Sequence, residues 1–358
     1  MNLEKMFQDV FHVEPGERVL LLTDYPHADL PDSTAWQERR QMAAEWREAF
    51  AGLGRRLGFE VLPLASYPAT GQHNADLPLS AVVDRGWTLD TILSEATLAL
   101  ALTEFSPSAP LGIRTLAVKD FRVATLPGVA RRMEKTALAA DYAEVARRCE
   151  ILARHLRGAR SGDVVFDTGH RCRFDLRHRE PHLDDGQLPR DCPGVRLINL
   201  PSGEAYMNPY EGEIRGEESE TRGELPVSLD GEVLEFVVES NLIVDVRGPE
   251  SAAAHWRTFF AQDRARANIA EFAFGCNPLA VVWGNVLEDE KAGFHWAYGR
   301  SEFLGGTVSA ASFKSPSHVV HQDIVYAKGS PIGLKSVHLN RPDGSRPQII
   351  GDGDYLVF

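Results

Sequence analysis

The hydrophobic texture of the chain changes once, near Gly158, and that change constrains the fold more than any single residue does. Before it, continuous apolar runs alternate with segments of helical periodicity. Arg18 to Thr23 reads as a buried parallel strand, Ser33 or Thr34 caps a helix running to about Leu57, and Gly58 closes that helix. Phe59 to Leu64 and Thr97 to Leu102 read as strands, and Thr88 to Glu95 and Ala137 to Leu156 as helices. This βαβ rhythm predicts an open parallel sheet. After Gly158 the chain breaks into short β-type runs punctuated by Gly, Pro and Asp: Val164 to Asp167, Cys172 to Leu176, Val195 to Asn199, Val233 to Val238 and Leu242 to Val246. A helix from Ser251 to Arg266, capped by Ser251, leads into Ala270 to Phe274. Asp352-Gly353 reads as a hairpin turn before Tyr355 to Phe358. The expected fold class is therefore α/β: an N-terminal open parallel-sheet α/β domain over residues 1–158, then a mixed α+β, strand-rich domain over residues 159–358. A length of 358 residues supports two domains, since single cores stop growing near ~250–300 residues.

The net charge of −13 disfavours nucleic acid and anionic membranes as partners, because both would repel such a surface. Cys149, Cys172, Cys192 and Cys276 are widely spaced without a C-x-x-C pair, so reduced thiols are expected, not a disulfide scaffold or cysteine zinc site. The N-terminus lacks a basic segment followed by an apolar one, and no apolar run approaches the ~20 residues needed to span a bilayer. A cytoplasmic protein without membrane segments is expected.

The first half carries no phosphate loop. Gly52-Leu53-Gly54 falls near the end of a helix, whereas a dinucleotide fingerprint needs its glycines between strand and helix. Asp24, His27 and His73 follow strands but read as solvated loop residues. Arg177 to Pro193, with His178, His182, Asp184 and Asp185, and the acidic stretch Glu211 to Glu224 read as solvated excursions.

His321-Gln322-Asp323 is different, because it places an imidazole and a carboxylate two residues apart inside an apolar run. On a strand both project from one face and can grip one metal ion. Three more candidate ligands lie upstream beside glycines: Glu204 after Gly203, Glu271 before Gly275, and His295 between Gly293 and Gly299. Two imidazoles and three carboxylates suit a pair of divalent ions, because a carboxylate can bridge two metals. Glu288 to Lys291 reads as a charged helix turn with Lys291 salt-bridged to a neighbour, and His318 as facing away from His321.

Leu200-Pro201-Ser202-Gly203-Glu204-Ala205, Glu271-Phe272-Ala273-Phe274-Gly275-Cys276-Asn277-Pro278, Gly284-Asn285-Val286-Leu287-Glu288-Asp289-Glu290-Lys291, the His295 block and the closing His321-Gln322-Asp323 together resemble the successive signatures of the aminopeptidase T/AmpS metallopeptidases. The resemblance spans about Leu200 to Tyr326, while the N-terminal half is similar only in general pattern. It implies a dinuclear site with Glu204, Glu271, His295, His321 and Asp323 as ligands, Glu204 and Glu271 also in catalysis, and two divalent ions (Zn, Co or Mn) as cofactors. It further implies a homodimer and a substrate that is a peptide or amino-acid amide, cleaved at its free N-terminus. One departure stands out: seven positions after the first histidine the family carries a functional tyrosine, and here Glu302 takes that place.

Two other readings remain open at the sequence. The chain also resembles a mononuclear iron dioxygenase of dihydroxypyridine, which uses two histidines and one carboxylate, including the terminal His-x-Asp; as aligned, it has histidine where this chain has Glu271 and nothing matching Glu204 or His295. The other is a divergent member acting on a non-peptide amide, or only binding.

Overall fold

The computed structural model describes residues 1–28, 30–84, 86–192, 194–229 and 231–358, so Pro193 at the end of the His- and Asp-rich tract lies outside the described residues. The chain divides into two compact units, one made of Met1–Ala146 with Asp184–Ser202 and the other of Arg147–Leu183 with Gly203–Phe358. The fold class is the expected one: a parallel sheet in the N-terminal unit and strand-rich antiparallel sheets in the other.

In the first unit the strand Arg18–Tyr25 is central. It pairs in parallel with Glu60–Val61 and Ala65–Pro68 on one side and with Leu98–Ala101 on the other, followed outward by Arg122–Thr125 and Leu197–Asn199. Leu20, Leu21 and Leu22 are all buried, which is why this strand reads as an unbroken apolar run and not as an alternating one. The helix Thr34–Leu57 makes the first crossover; Ser33 accepts from the Trp36 amide, and Gly58 closes the helix at φ 81°. Asp24 is not solvated. Its buried carboxylate accepts from Trp36 Nε1 at 2.8 Å, Glu104 N at 2.8 Å and Phe105 N at 3.1 Å, tying a helix and a loop to the strand. His73 Nδ1 accepts from Ser106 N, and His27 Nε2 lies 2.8 Å from the Ala69 carbonyl.

The second unit stacks two antiparallel sheets. The larger runs in the order Leu242–Arg247, Glu232–Glu239, Arg222–Leu229, Arg171–Asp175, Ser161–Phe166, Leu334–Asn340, Gln348–Gly351 and Asp354–Tyr355. The smaller runs His182–Asp184, Glu204–Met207, Ile269–Gly275, Phe294–Gly299 and His321–Tyr326. Aromatic pairs fill the space between them: Phe174 with Phe272 at 5.0 Å and Phe166 with Tyr326 at 4.8 Å between ring centres. A β-carbon on Gly162 would meet the Phe272 ring, so the glycine admits that packing. Asp352 and Gly353, at φ 46° and 81°, form the hairpin turn expected from their sequence.

Three elements differ from the sequence reading. Leu197–Asn199 joins the parallel sheet of the first unit, because its pairing partner, Arg122–Thr125, is distant in sequence. The long helix begins at Tyr142, after a single turn at Ala137–Ala139, where the Asp141 carboxylate accepts from Ala143 N. The other helix spans Glu250–Gln262 with no side-chain cap from Ser251 and stops at Asp263, whose buried carboxylate takes Ala265 N, Lys314 N and His318 Nδ1. Among the described residues no helix is long and apolar enough to cross a membrane. All four cysteines are free thiols, with Cys149 and Cys276 Sγ atoms 3.4 Å apart.

Arg122 and Glu17 form a fully buried ion pair at 2.9 Å, and Arg122 also donates to the Phe11 carbonyl. Replacing one partner leaves a desolvated charge unpaired. Arg122→Met is expected to cost about 3–5 kcal/mol, read as an earlier urea transition; a midpoint within error of wild type contradicts this.

Candidate metal centre

The pleat of the smaller sheet brings the five sequence-selected side chains together. Glu204 stands opposite Gly275, Ala273 opposite His295, and Glu271 opposite Ala297. Ala297 stands opposite Asp323, and Gly299 opposite His321. Directly opposed residues share a face, as do alternate residues along a strand. Glu204, Glu271, His295, His321 and Asp323 therefore project to one side, interleaved with Ala273, Gly275, Ala297 and Gly299. The other face carries Phe272, Phe274, Phe294, Trp296, Tyr298, Ile324 and Tyr326, all buried. Large aromatics anchor the sheet from beneath, and small residues leave room above it for carboxylates and imidazoles.

Those side chains form two clusters that share one residue. Ligand-type atoms of Glu204, Glu271 and His295 lie within 4.8 Å of one another, and so do those of Glu271, His321 and Asp323. His295 Nε2 is 3.3 Å from Glu204 Oε2 and 3.8 Å from Glu271 Oε1. His321 Nε2 is 3.2 Å from Glu271 Oε2 and 3.5 Å from Asp323 Oδ1. Each histidine turns its other nitrogen to the main chain, His321 Nδ1 to the Arg300 carbonyl at 2.7 Å and His295 Nδ1 to the Gly293 carbonyl at 3.3 Å. That anchoring fixes the ring and commits Nε2 to the carboxylates, the arrangement metal-binding histidines use. Glu204 Oε2 is buried and makes no hydrogen bond. An orphaned carboxylate oxygen aimed at an imidazole, within a mixed O and N donor set, fits a divalent cation.

Electrostatics show what the clusters lack. Burial would raise Glu204, but Lys291 and His295 outweigh it and hold the carboxyl down at about 2. Asp323 is also lowered, because His321 overcomes the effect of burial. Burial raises Glu271 in spite of His321. Burial acts to lower His295, yet the neighbouring Glu204 carboxylate lifts it to about 9. His321 is raised well above the ordinary imidazole range, against burial, chiefly by Asp323 and Glu271. Protons on the two imidazoles supply the countercharge for the carboxylates.

Residues that the sequence reading set aside also reach the centre. Lys291 is fully buried, with Nζ 2.6 Å from Glu204 Oε1 and 2.8 Å from Glu290 Oε1. Glu290 is raised to about 8 by burial, against Lys291. The charged turn carries the expected ion pair of Lys291 with a neighbour, Glu290, but Lys291 is buried there and reaches the cluster. Its signal was available: Gly275 inside a buried strand marks a close approach, and a β-carbon there would overlap the Glu290 carbonyl oxygen. His318 belongs to a short turn at Pro316–His318 and bonds Asp263 at 3.0 Å. Tyr298 packs among Trp256, Phe260 and Trp296 on the aromatic face. Both oxygens of Glu302 are taken by Arg300, with Nε at 2.7 and 2.8 Å.

Solved structures share this fold. AmpT from Thermus thermophilus, an aminopeptidase T, is 17% identical with a TM-score of 0.60, covering 99% of this chain and 98% of its own. The 2,5-dihydroxypyridine dioxygenase from Pseudomonas putida is 19% identical with a TM-score of 0.64, covering 99% of this chain and 97% of its own. No family model and no curated protein matches the chain. Both structural neighbours are enzymes, and at these identities the likeness establishes the fold.

Among the described residues His170, Glu224 and Glu235 also come together, but Arg247 Nη1 already sits 3.4 Å from Glu224 and 2.6 Å from Glu235. In the His- and Asp-rich tract His178 pairs with Glu217, and His182 stacks on Tyr206.

Since metal ligation requires deprotonated imidazoles, cation uptake must expel protons from His295 and His321. Affinity is expected to rise with pH through about 9, the His295 value, with proton release at neutral pH. Calorimetry in buffers of differing ionisation enthalpy reads that release; uptake that is pH-independent and releases none contradicts the assignment. Asp323→Ala and His321→Ala are each expected to lower metal content, measured by elemental analysis.

Proposed function

We propose that the chain is a metal-dependent hydrolase, an aminopeptidase that releases N-terminal amino acids from peptides with two divalent ions, Zn, Co or Mn, as cofactors. The observation that carries this reading is the sharing of Glu271 between two ligand clusters. Glu204 and His295 would complete one ion's set and His321 and Asp323 the other's, with a Glu271 oxygen facing each side. When bound, such ions supply a nucleophile at neutral pH and polarise the scissile carbonyl.

The chain's own residues orient and discriminate. Main-chain carbonyls at Gly293 and Arg300 hold the two rings in place. A free substrate α-amine would be held at the centre by a bound ion, which would favour a free N-terminus over a blocked one. Glu302 does not stand in for a phenol donor, because Arg300 engages both of its oxygens. Oxyanion help from that position is absent from this mechanism, and Glu302→Gln is expected to leave turnover unchanged.

A second reading is supported by one distance pattern and one likeness. Glu271 lies within 3.8 Å of both histidine Nε2 atoms, so a single iron held by His295, His321 and Glu271 would have two imidazoles and one carboxylate, a set different from the one the dioxygenase resemblance implies, which includes His321 and Asp323 and has histidine at position 271. The dioxygenase fold match accompanies it.

Metal analysis with a panel of dipeptides and amino-acid anilides separates the two. The hydrolase reading expects two ions per chain, cleavage abolished by chelator, and no turnover of N-acetylated substrates. One iron per chain with oxygen uptake on a dihydroxylated ring sinks it. Equal cleavage of acetylated and free substrates removes the exopeptidase assignment while leaving hydrolysis.

A further inference from the structure

We propose that Lys291 is the positioning residue that aims Glu204 at the metal centre, an inference that rests on the two-ion reading above. A buried ammonium is costly unless paired, and Lys291 is paired with two carboxylates, Glu204 and Glu290. The fold goes to some length to bring it there. The Glu290–Lys291 backbone lies directly on Gly275, where no β-carbon fits. Asn277 N donates to the Lys291 carbonyl at 3.0 Å and Gly275 N to the Gly293 carbonyl at 2.8 Å, locking the turn to the strand that carries Glu271.

The two oxygens of Glu204 then have different tasks. Oε1 accepts from Lys291 Nζ at 2.6 Å, while Oε2 makes no hydrogen bond and faces His295 Nε2 at 3.3 Å. Lys291 thus fixes the carboxylate with one oxygen turned inward as a single ligand. Partners of this kind hold ligating carboxylates and tune the metal through them.

The sign of its effect makes the idea testable. Charge alone says that a cation beside the site repels a metal, so removing Lys291 would tighten binding. Orientation says the reverse, since Glu204 without its anchor is free to turn Oε2 away.

The experiment uses the full chain, stripped by chelator and titrated with Co(II), as wild type, Lys291→Met and Lys291→Gln. Expected is a loss of about 10- to 100-fold in affinity for one ion in Lys291→Met, with the other held as before and the visible band of the weakened ion altered. Lys291→Gln, which keeps a donor for Oε1 without the charge, falls between, and it decides alone should Lys291→Met not melt cooperatively. A folded variant that binds both ions with wild-type affinity and spectrum, even with a lowered melting temperature, overturns the proposal, as does tighter binding. Wild-type protein that takes up a single ion overturns the two-ion reading instead. The variants then still report whether Lys291 governs that ion, so the two failures are separable.

Discussion

Three carboxylates, Glu204, Glu271 and Asp323, converge on one face of the smaller sheet, and the chemistry of the second unit follows from the need to balance them. Like charges at such separations repel strongly where water is excluded. The protein answers with cations of its own: a buried ammonium behind Glu204 and protons on His295 and His321. The ammonium is a fixed part of the chain, whereas the imidazole protons are exchangeable, and a divalent ion that displaces them brings more charge to the same place. The histidine nitrogens are the points at which a divalent ion would exchange with protons.

This concentration of charge is tolerated because the sheet beneath it is anchored from the other side. Strand alternation sends Phe272, Phe274, Phe294, Trp296 and Tyr326 into the aromatic layer against the larger sheet. The intervening ligand-bearing positions take no part in that packing. Trp296 and Tyr326 also close a polar chain, Trp296 Nε1 donating to Tyr326 and Tyr326 to the Pro226 carbonyl, so the two strands that bear His295 and His321 are fixed in register. Apolar packing in one layer thus sets ligand spacing in the next, since a one-residue slip would send every ligand to the wrong face.

Much of this was legible because it is periodic. His321 and Asp323 two apart, and an aromatic at alternate positions around His295, announce a two-faced strand before any contact is known. The parallel sheet around Leu20 to Leu22 and the capped helix from Ser33 to Gly58 declare themselves by local rules alone. What the sequence hid depends on partners far away along the chain. Leu197–Asn199 is a short run whose allegiance to Arg122–Thr125 lies in a hydrogen-bonded pairing across 70-odd positions, and no local feature encodes it. Asp141 and Asp263 broke helices whose periodicity ran past them, because their carboxylates bind backbone amides nearby. Lys291 read as a salt-bridged residue of a charged turn, and its full burial against the metal-type cluster was hidden because it is imposed by Gly275, sixteen positions earlier.

Glu302 shows how a departure from an expected pattern is absorbed. A carboxylate on the segment after His295 carries a charge that a neutral phenol would not. Arg300 engages both of its oxygens in a bidentate pair, which neutralises the carboxylate locally. The same residue has a second duty, since its main-chain carbonyl holds His321 Nδ1 at 2.7 Å. Side chain and backbone of one arginine thereby keep a foreign acid neutralised and a ligand ring in place, which allows the ligand geometry to persist while the expected phenol is lost.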